Sequence, residues 1–346
     1  MKQTIILTFF FFTALSLASC RKDKTQLNIK QYDDQQIKNY IAVHGLTGMT
    51  RDLTGGDTTG MYYQVLNPGT PSINGKVDTL DYAHRIAFVY TERTLDGTFV
   101  SSDTINNHYY DYVGHIATTL PLGLRTAIHN LLKYPDASIR VLIPSHLAYG
   151  LNGAGSGSSQ VSNNRIPGNA SMDFYVHAIT NFQVYDDQVI KNYMATNNLT
   201  GYTAVTMAVP PPVFGQQDSL IYWAGKYSNP AVPYTATYYY KILTSATTGD
   251  PITDNSTFTA TYTGQLFNGT LFDYGFNGTN TYSGNPTEFV VSALKDAFEN
   301  KNINVVAGTK ISILIPSPLG YGLPAQSTLP PFSCMRFTWQ VLTVTP

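Results

Sequence analysis

Polar and apolar residues alternate along this chain with two different periods, and each period occurs twice. After Tyr32, Asp33 and Asp34, apolar side chains fall at Ile37, Tyr40 and Ile41, the i, i+3, i+4 spacing of one helical face. Asp33 and Asp34 stand where capping and first-turn carboxylates belong, which predicts a helix opening there. The pair could be read as an acid–base dyad, but adjacent residues on a helix do not face each other, and capping accounts for them. The pattern then shifts toward strand. Strands are predicted over 61–66 and 238–243, 85–91 and 257–263, 139–143 and 311–315, and 172–178. In the last, Met172, Phe174, Val176 and Ala178 share one face. Asp96-Gly97 and Asn268-Gly269 are hairpin signals. Leu124, Ile128 and Leu131 mark a short helix over 122–132, whose counterpart is 293–300. The fold class is α+β: a mostly antiparallel sheet covered by one helix, made twice.

The duplication is visible in the residues themselves. Between 32–48 and 185–201, twelve of seventeen positions are identical at an offset of 153. Ile143-Pro144-Ser145-His146-Leu147-Ala148-Tyr149-Gly150 matches Ile315-Pro316-Ser317-Pro318-Leu319-Gly320-Tyr321-Gly322 at an offset of 172, as Tyr90-Thr91 matches Tyr262-Thr263. The offset grows by 19, so about 19 extra residues are expected between Gly201 and Tyr262. Pro210-Pro211-Pro212 and the stretch to Tyr234 read as that surface insertion. Two domains follow, 32–183 and 184–346.

The start of the chain reads as an address. Lys2 precedes a short apolar run, and residues 1–19 have the form of a signal peptide. Leu17-Ala18-Ser19-Cys20 looks like a bacterial lipobox, with Cys20 the lipidated residue and 20–31 a polar tether. Several acyl chains on one cysteine anchor stably. The expected location is the bacterial cell envelope, held by lipid alone, at the outer membrane on its periplasmic or surface face.

Composition narrows the chemistry. The formal net charge is −1, so there is no basic footprint for nucleic acid. Charged residues make up only 12%, while Tyr (25) and Phe (17) are abundant, which suits β structure and apolar clefts. Cys20 and Cys334 cannot build a disulfide framework or a cysteine zinc site. The seven His, none beyond His177, lack ligand spacing and do not recur in the second repeat, so no metal site is expected. There is no Gly-x-Ser-x-Gly elbow for a serine hydrolase. The Gly/Ser run at 153–159 lacks the Lys-Ser/Thr of a phosphate loop and reads as a lid or plain surface loop.

The order of motifs resembles the FKBP-type peptidyl-prolyl isomerases. It is carried by Tyr90-Thr91, Asp96-Gly97, Phe99, Ser101-Ser102, the 143–150 string, Ile166-Pro167-Gly168-Asn169-Ala170 and Phe174. In the second repeat it is carried by Tyr262-Thr263-Gly264, Asn268-Gly269, Phe272-Asp273, Ile315-Pro316-Ser317, Tyr321-Gly322, Leu329-Pro330-Pro331 and Phe337. It covers about 78–182 and 237–345. The resemblance implies two FKBP-like domains, each a curved sheet wrapped on a short helix with an apolar hollow between them. The leading helices resemble dimerising or linker helices of extracytoplasmic members. The implied activity is cis–trans isomerisation of X–Pro bonds in proline-containing segments of unfolded or exported proteins, with no cofactor and no metal. The implied catalytic set is Asp273, Tyr321 and Tyr262, with Phe272, Phe289, Leu294, Phe298, Leu329 and Phe337 lining the hollow. Phe298 lies where the family has a tryptophan, and Lys295 where a backbone N–H faces ligand. The first repeat would use Tyr90, Phe99, Tyr112, Leu120, Tyr149, Ile166 and Phe174. Val100 is read at the family's aspartate position there and Leu120 at its tryptophan, so the second repeat is expected to be the active one. The alternative is a peptide-binding chaperone or envelope scaffold with little turnover.

Overall fold

The computed structural model of the chain describes residues 28–346 except 55, 71, 74–75, 78, 81–84, 103–108, 113–115, 117–118, 156–164, 180–181, 210–234, 276–280, 323–328 and 331. At 72–73, 76–77, 85–86, 102, 109–112 and 275 it describes the backbone alone. The signal peptide, Cys20 and the Pro210–Pro212 run lie outside the described residues.

Among the described residues four α-helices stand in two pairs: α1 Ile29–Val43, α2 Leu122–Leu131, α3 Phe182–Thr196 and α4 Ser292–Glu299. In the first repeat the strands are β1 Thr50–Arg51, β2 Tyr62–Asn67, β3 Ser72–Ile73, β4 Lys76–Val77, β5 Arg85–Thr94, β6 Val100–Ser102, β7 Tyr109–Tyr112, β8 Ser138–Ile143 and β9 Met172–Ile179. In the second they are β10 Thr203–Ala208, β11 Thr235–Thr244, β12 Thr257–Leu266, β13 Leu271–Gly275, β14 Tyr282–Gly284, β15 Lys310–Ile315 and β16 Met335–Thr345. The first sheet runs β1-β2-β8-β9-β5-β6 with β7 also on β5; the second runs β10-β11-β15-β16-β12-β13 with β14 also on β12. The two orders are the same, and every named pairing is antiparallel. The duplicated sequence is thus a duplicated sheet.

Register refines the reading of the insertion. Tyr62 pairs Leu142 and Tyr239 pairs Leu314, so the offset is 177 from β2 to β11, against 172 from β8 to β15. It rises by 24 from the helices and then falls back by five before β12. A longer insertion in the second repeat is partly offset by a shorter connection.

Strand alternation sends side chains to both faces of each sheet. Phe88 and Tyr90 of β5 join Leu124, Ile128, Phe174 and Val176 in one core under α2. In the second repeat, Phe258, Ala260, Phe298, Phe337 and Trp339 form the matching core under α4. The leading helix covers the opposite face, so each sheet is sandwiched rather than covered once. Helix α1 buries Asp33, Ile37 and Tyr40, and α3 buries Phe182, Asp186 and Ile190, each a stripe at helical spacing. The helices therefore pack on the sheet that follows them in the chain.

Capping does not explain the aspartates. Helix α1 starts at Ile29, inside the segment read as tether, and its cap is Asn28, which accepts from Gln31 N at 3.0 Å. Asp33 is instead fully buried and accepts from Ser145 Oγ at 2.9 Å and Ser171 Oγ at 3.2 Å, with His146 Nδ1 at 3.2 Å. Asp186 accepts from Ser317 N at 2.8 Å and Ser317 Oγ at 2.6 Å. A buried carboxylate needs such donors, because desolvation without them is costly. A third buried carboxylate, Asp173, ties α1 to the first sheet. It accepts from Tyr40 Oη at 3.0 Å, Arg93 Nε at 2.9 Å and Arg140 Nη2 at 2.6 Å.

The repeats also touch. Phe332 stacks on Phe182 with ring centres 4.6 Å apart, in a cluster with Ala87, Val89 and Ile179 of the first repeat.

Candidate functional site: two aromatic hollows

In the second repeat, Phe258, Ala260, Tyr262 and Gly264 of β12 alternate onto the face under α4, beside Met335, Phe337 and Trp339 of β16. Tyr262 stacks on Trp339 at 4.3 Å. Phe289, Phe298 and Phe337 stand 5.5, 5.4 and 6.3 Å from the same indole. Phe272 meets Phe337 edge-on at 5.6 Å and Tyr321 edge-on at 6.4 Å. The structure thus brings together Tyr262, Phe272, Phe289, Phe298, Tyr321 and Phe337 of the expected set. Leu294 is buried in the same core. Leu329 is buried too, next to residues 323–328 outside the description.

One polar pair crosses this apolar wall. Tyr262 Oη donates to Asp273 Oδ1 at 2.8 Å. Burial and then the Asp273 hydrogen bond push the Tyr262 phenol up, so it stays a donor at neutral pH. Tyr321 is also pushed up, by burial and then by the Asp273 charge, and its hydroxyl makes no hydrogen bond among the described residues.

One expectation changes here. The N–H of Lys295 donates to Val291 O at 3.2 Å as part of the first helical turn. Trp339, on β16, was not expected in the cluster, yet it is 2% exposed and central to it. Period two through Met335, Phe337, Trp339 and Val341 was the signal that could have found it. Tyr282, stacked on Phe289 at 5.3 Å and edge-on to Trp339 at 5.5 Å, was also missed.

The first repeat keeps the walls. Phe174 lies 6.3 Å from Tyr90, and Leu120 and Ile166 are buried with them. Phe99 and Tyr149 pack against that core. Ile166 bridges to Ala154 at the base of the Gly/Ser loop, and Gly153 (φ +65°) has no room for a side chain, since a Cβ would sit 2.0 Å from Ile166 O. Tyr112 lies in β7 opposite Arg85, and its side chain is outside the description.

Its polar pair differs, and Val100 is not the reason. Val100 is 66% exposed and pairs Arg93. The residue opposite Glu92 is Ser101, as Asp273 is opposite Gly264. Phe272 is the extra residue of a bulge in β13, which shifted the sequence reading by one. Glu92 itself is buried in the hollow, accepts from Tyr149 Oη at 2.6 Å, and is pushed up by burial against that hydrogen bond. No carboxylate had been expected there.

A groove of about 600 Å³ near the end of α4, lined by Ile252, Asp254, Asn300 and Lys301 among others, contains none of Tyr262, Asp273 or Tyr321.

The comparisons with known proteins point to one family. The family model described as FKBP-type peptidyl-prolyl cis-trans isomerase matches residues 249–342. A probable FKBP-type peptidyl-prolyl cis-trans isomerase of Haemophilus influenzae is 36% identical over 108 residues, 31% of this chain and 42% of that one. Human peptidyl-prolyl cis-trans isomerase FKBP10 is 36% identical over 93 residues, 26% of this chain and 14% of that one. The chain therefore spans less than half the length of these curated relatives. The three FKBP domains of wheat FKBP73 align with a TM-score of 0.29 and 15% identity, over 86% of this chain and 99% of that chain. Residues 249–342, which hold Tyr262, Asp273, Tyr321 and the rings around Trp339, are a domain of the FKBP-type peptidyl-prolyl cis-trans isomerase family.

Proposed function

We propose that the chain is a tandem FKBP-type isomerase of the cell envelope, acting on X–Pro bonds of exported proteins through its second repeat. The observation that carries this reading is the Tyr262–Asp273 pair beside a Tyr321 hydroxyl with no hydrogen bond among the described residues, inside residues that match the isomerase family. The chemistry suits the site. An X–Pro amide turns over a barrier of about 18–20 kcal/mol set by C–N resonance. Planar, it is charge-separated and favoured by water; twisted, it loses that separation. A dry aromatic wall therefore favours the twisted amide over the planar one, and only such differential binding speeds the step. Tyr321 donates its hydroxyl to a substrate carbonyl. Asp273 fixes Tyr262 and holds polar groups at the rim. Phe272, Phe289, Phe298 and Phe337 enclose the proline.

Exchange NMR on an X–Pro peptide with the full chain tests this. Accelerated exchange is expected; none at saturating protein would refute the enzyme reading and leave a peptide-holding module.

The proposed location is a membrane surface, reached through the signal-like residues 1–19 and lipid on Cys20, and the proposed partners are proline-containing segments of exported proteins. Cys20→Ala is expected to move the protein from the membrane to the soluble fraction, and unchanged partition would remove the anchor.

A further inference from the structure

The two hollows use one cross-strand pair in opposite ways. In the second, the pair is Gly264 with Asp273; in the first, it is Glu92 with Ser101. The carboxylate has changed strands, and its hydrogen-bond partner has changed with it. Asp273 takes the hydroxyl of Tyr262, on its neighbouring strand. Glu92 takes the hydroxyl of Tyr149, whose counterpart Tyr321 makes no hydrogen bond among the described residues.

Space follows the same division. Residues 88, 90 and 92 share one face of β5, and Glu92 is only 8% exposed among the residues that wall the first hollow. At the corresponding Gly264, a Cβ would lie 2.7 Å from Phe337 Cε1 and 2.9 Å from Phe272 Cζ. Even one carbon there would push both rings. The second hollow keeps its ring arrangement because position 264 has no side chain, while the first is built around a side chain at that position.

We propose that Glu92 plugs the first hollow and that the bare Gly264, by leaving the Phe272 and Phe337 rings in place, keeps a plug out of the second, so this one position decides which repeat admits an X–Pro peptide. The peptide as occupant rests on the proposed function; the plug itself does not. Peptide that enters the first hollow would have to displace a buried carboxyl and break its bond to Tyr149, leaving polar groups unpaired.

The test is a titration of the full chain, methyl-labelled at Ile and Leu, with a Leu-Pro tetrapeptide. In the wild type, Leu294 and Leu329 are expected to shift while Leu120 and Ile166 stay still. In Glu92→Gly, Leu120 and Ile166 should shift as well. Glu92→Ala, which keeps a strand-compatible residue, should do the same if the glycine variant does not fold. Gly264→Glu should weaken the response of Leu294 and Leu329 at least tenfold. The proposal is overturned if Leu120 and Ile166 already respond in the wild type. It is equally overturned if they stay still in a folded Glu92→Gly or Glu92→Ala. Failure of the isomerase reading would show separately, as absent turnover in the wild type, since the methyl comparison needs no turnover.

Discussion

Single residues decide what each hollow can do. If Tyr321 donates to the substrate carbonyl, Tyr321→Phe removes one hydrogen bond worth about 0.5–1.5 kcal/mol, a loss of roughly three- to tenfold in kcat/KM. Asp273→Ala leaves the Tyr262 hydroxyl without its acceptor and should cost about tenfold or more. Exchange NMR on both variants checks this, with near-UV circular dichroism to show that the aromatic packing survives. Unchanged rates in both would remove the site assignment. Most of this site was legible in the sequence, because Tyr262, Phe272, Tyr321 and Phe337 sit at fixed places in a recognisable order. Trp339 and Glu92 were not. Trp339 reaches the cluster from a different strand than the one the motif points to. Glu92 becomes a hollow residue only when β5 is folded, since a lone glutamate in a polar-looking strand end gives no sign of burial.

At the scale of elements, the two strongest internal matches turn out to be the two sides of one contact. The Tyr-Asp-Asp string lies within the first two turns of the leading helices, and the Ile-Pro-Ser string begins at the last residue of β8 and β15. Asp33 meets Ser145, and Asp186 meets Ser317. Period and spacing located both helices but misjudged the aspartates, because helical phase alone does not reveal a partner more than a hundred residues away. The contact has a pH consequence. Burial pushes Asp186 up to about 7, against the donors of Ser317 and Cys334. An unfolded Asp titrates near 3.9. Between these values the native state binds the extra proton, so stability is fullest below about pH 4 and is lost as pH rises through about 7. Thermal unfolding from pH 4 to 8 should show this slope, and Asp186→Asn should flatten it. An equal slope in the variant would assign the effect to other groups.

At the scale of the molecule, the repeats are joined by more than chain continuity. Phe332 lies three residues after Leu329 and adopts a left-handed backbone (φ 54°), an unfavourable conformation for a bulky residue. Its ring sits against Ala87, Val89, Ile179 and Phe182. Phe→Ala at a buried site costs about 3–5 kcal/mol. Phe332→Ala is therefore expected to uncouple the repeats, splitting one calorimetric transition into two. A single unsplit transition would mean that Phe332 does not join them. The sequence announced two domains but not this contact, because nothing in a lone Phe after two prolines identifies its neighbour.

The exchange of the carboxylate between strands also constrains how twin domains drift apart. Passing from a Gly–Asp pair to a Glu–Ser pair takes two substitutions, and only two single-step intermediates exist. One sets Glu directly opposite Asp, two acids across neighbouring strands at the edge of one apolar hollow, which repel. The other sets Gly opposite Ser, which carries no charge at all. Descent from a common ancestor is thus channelled through a copy that had neither acid, and a duplicate in that state is free to become either kind of domain.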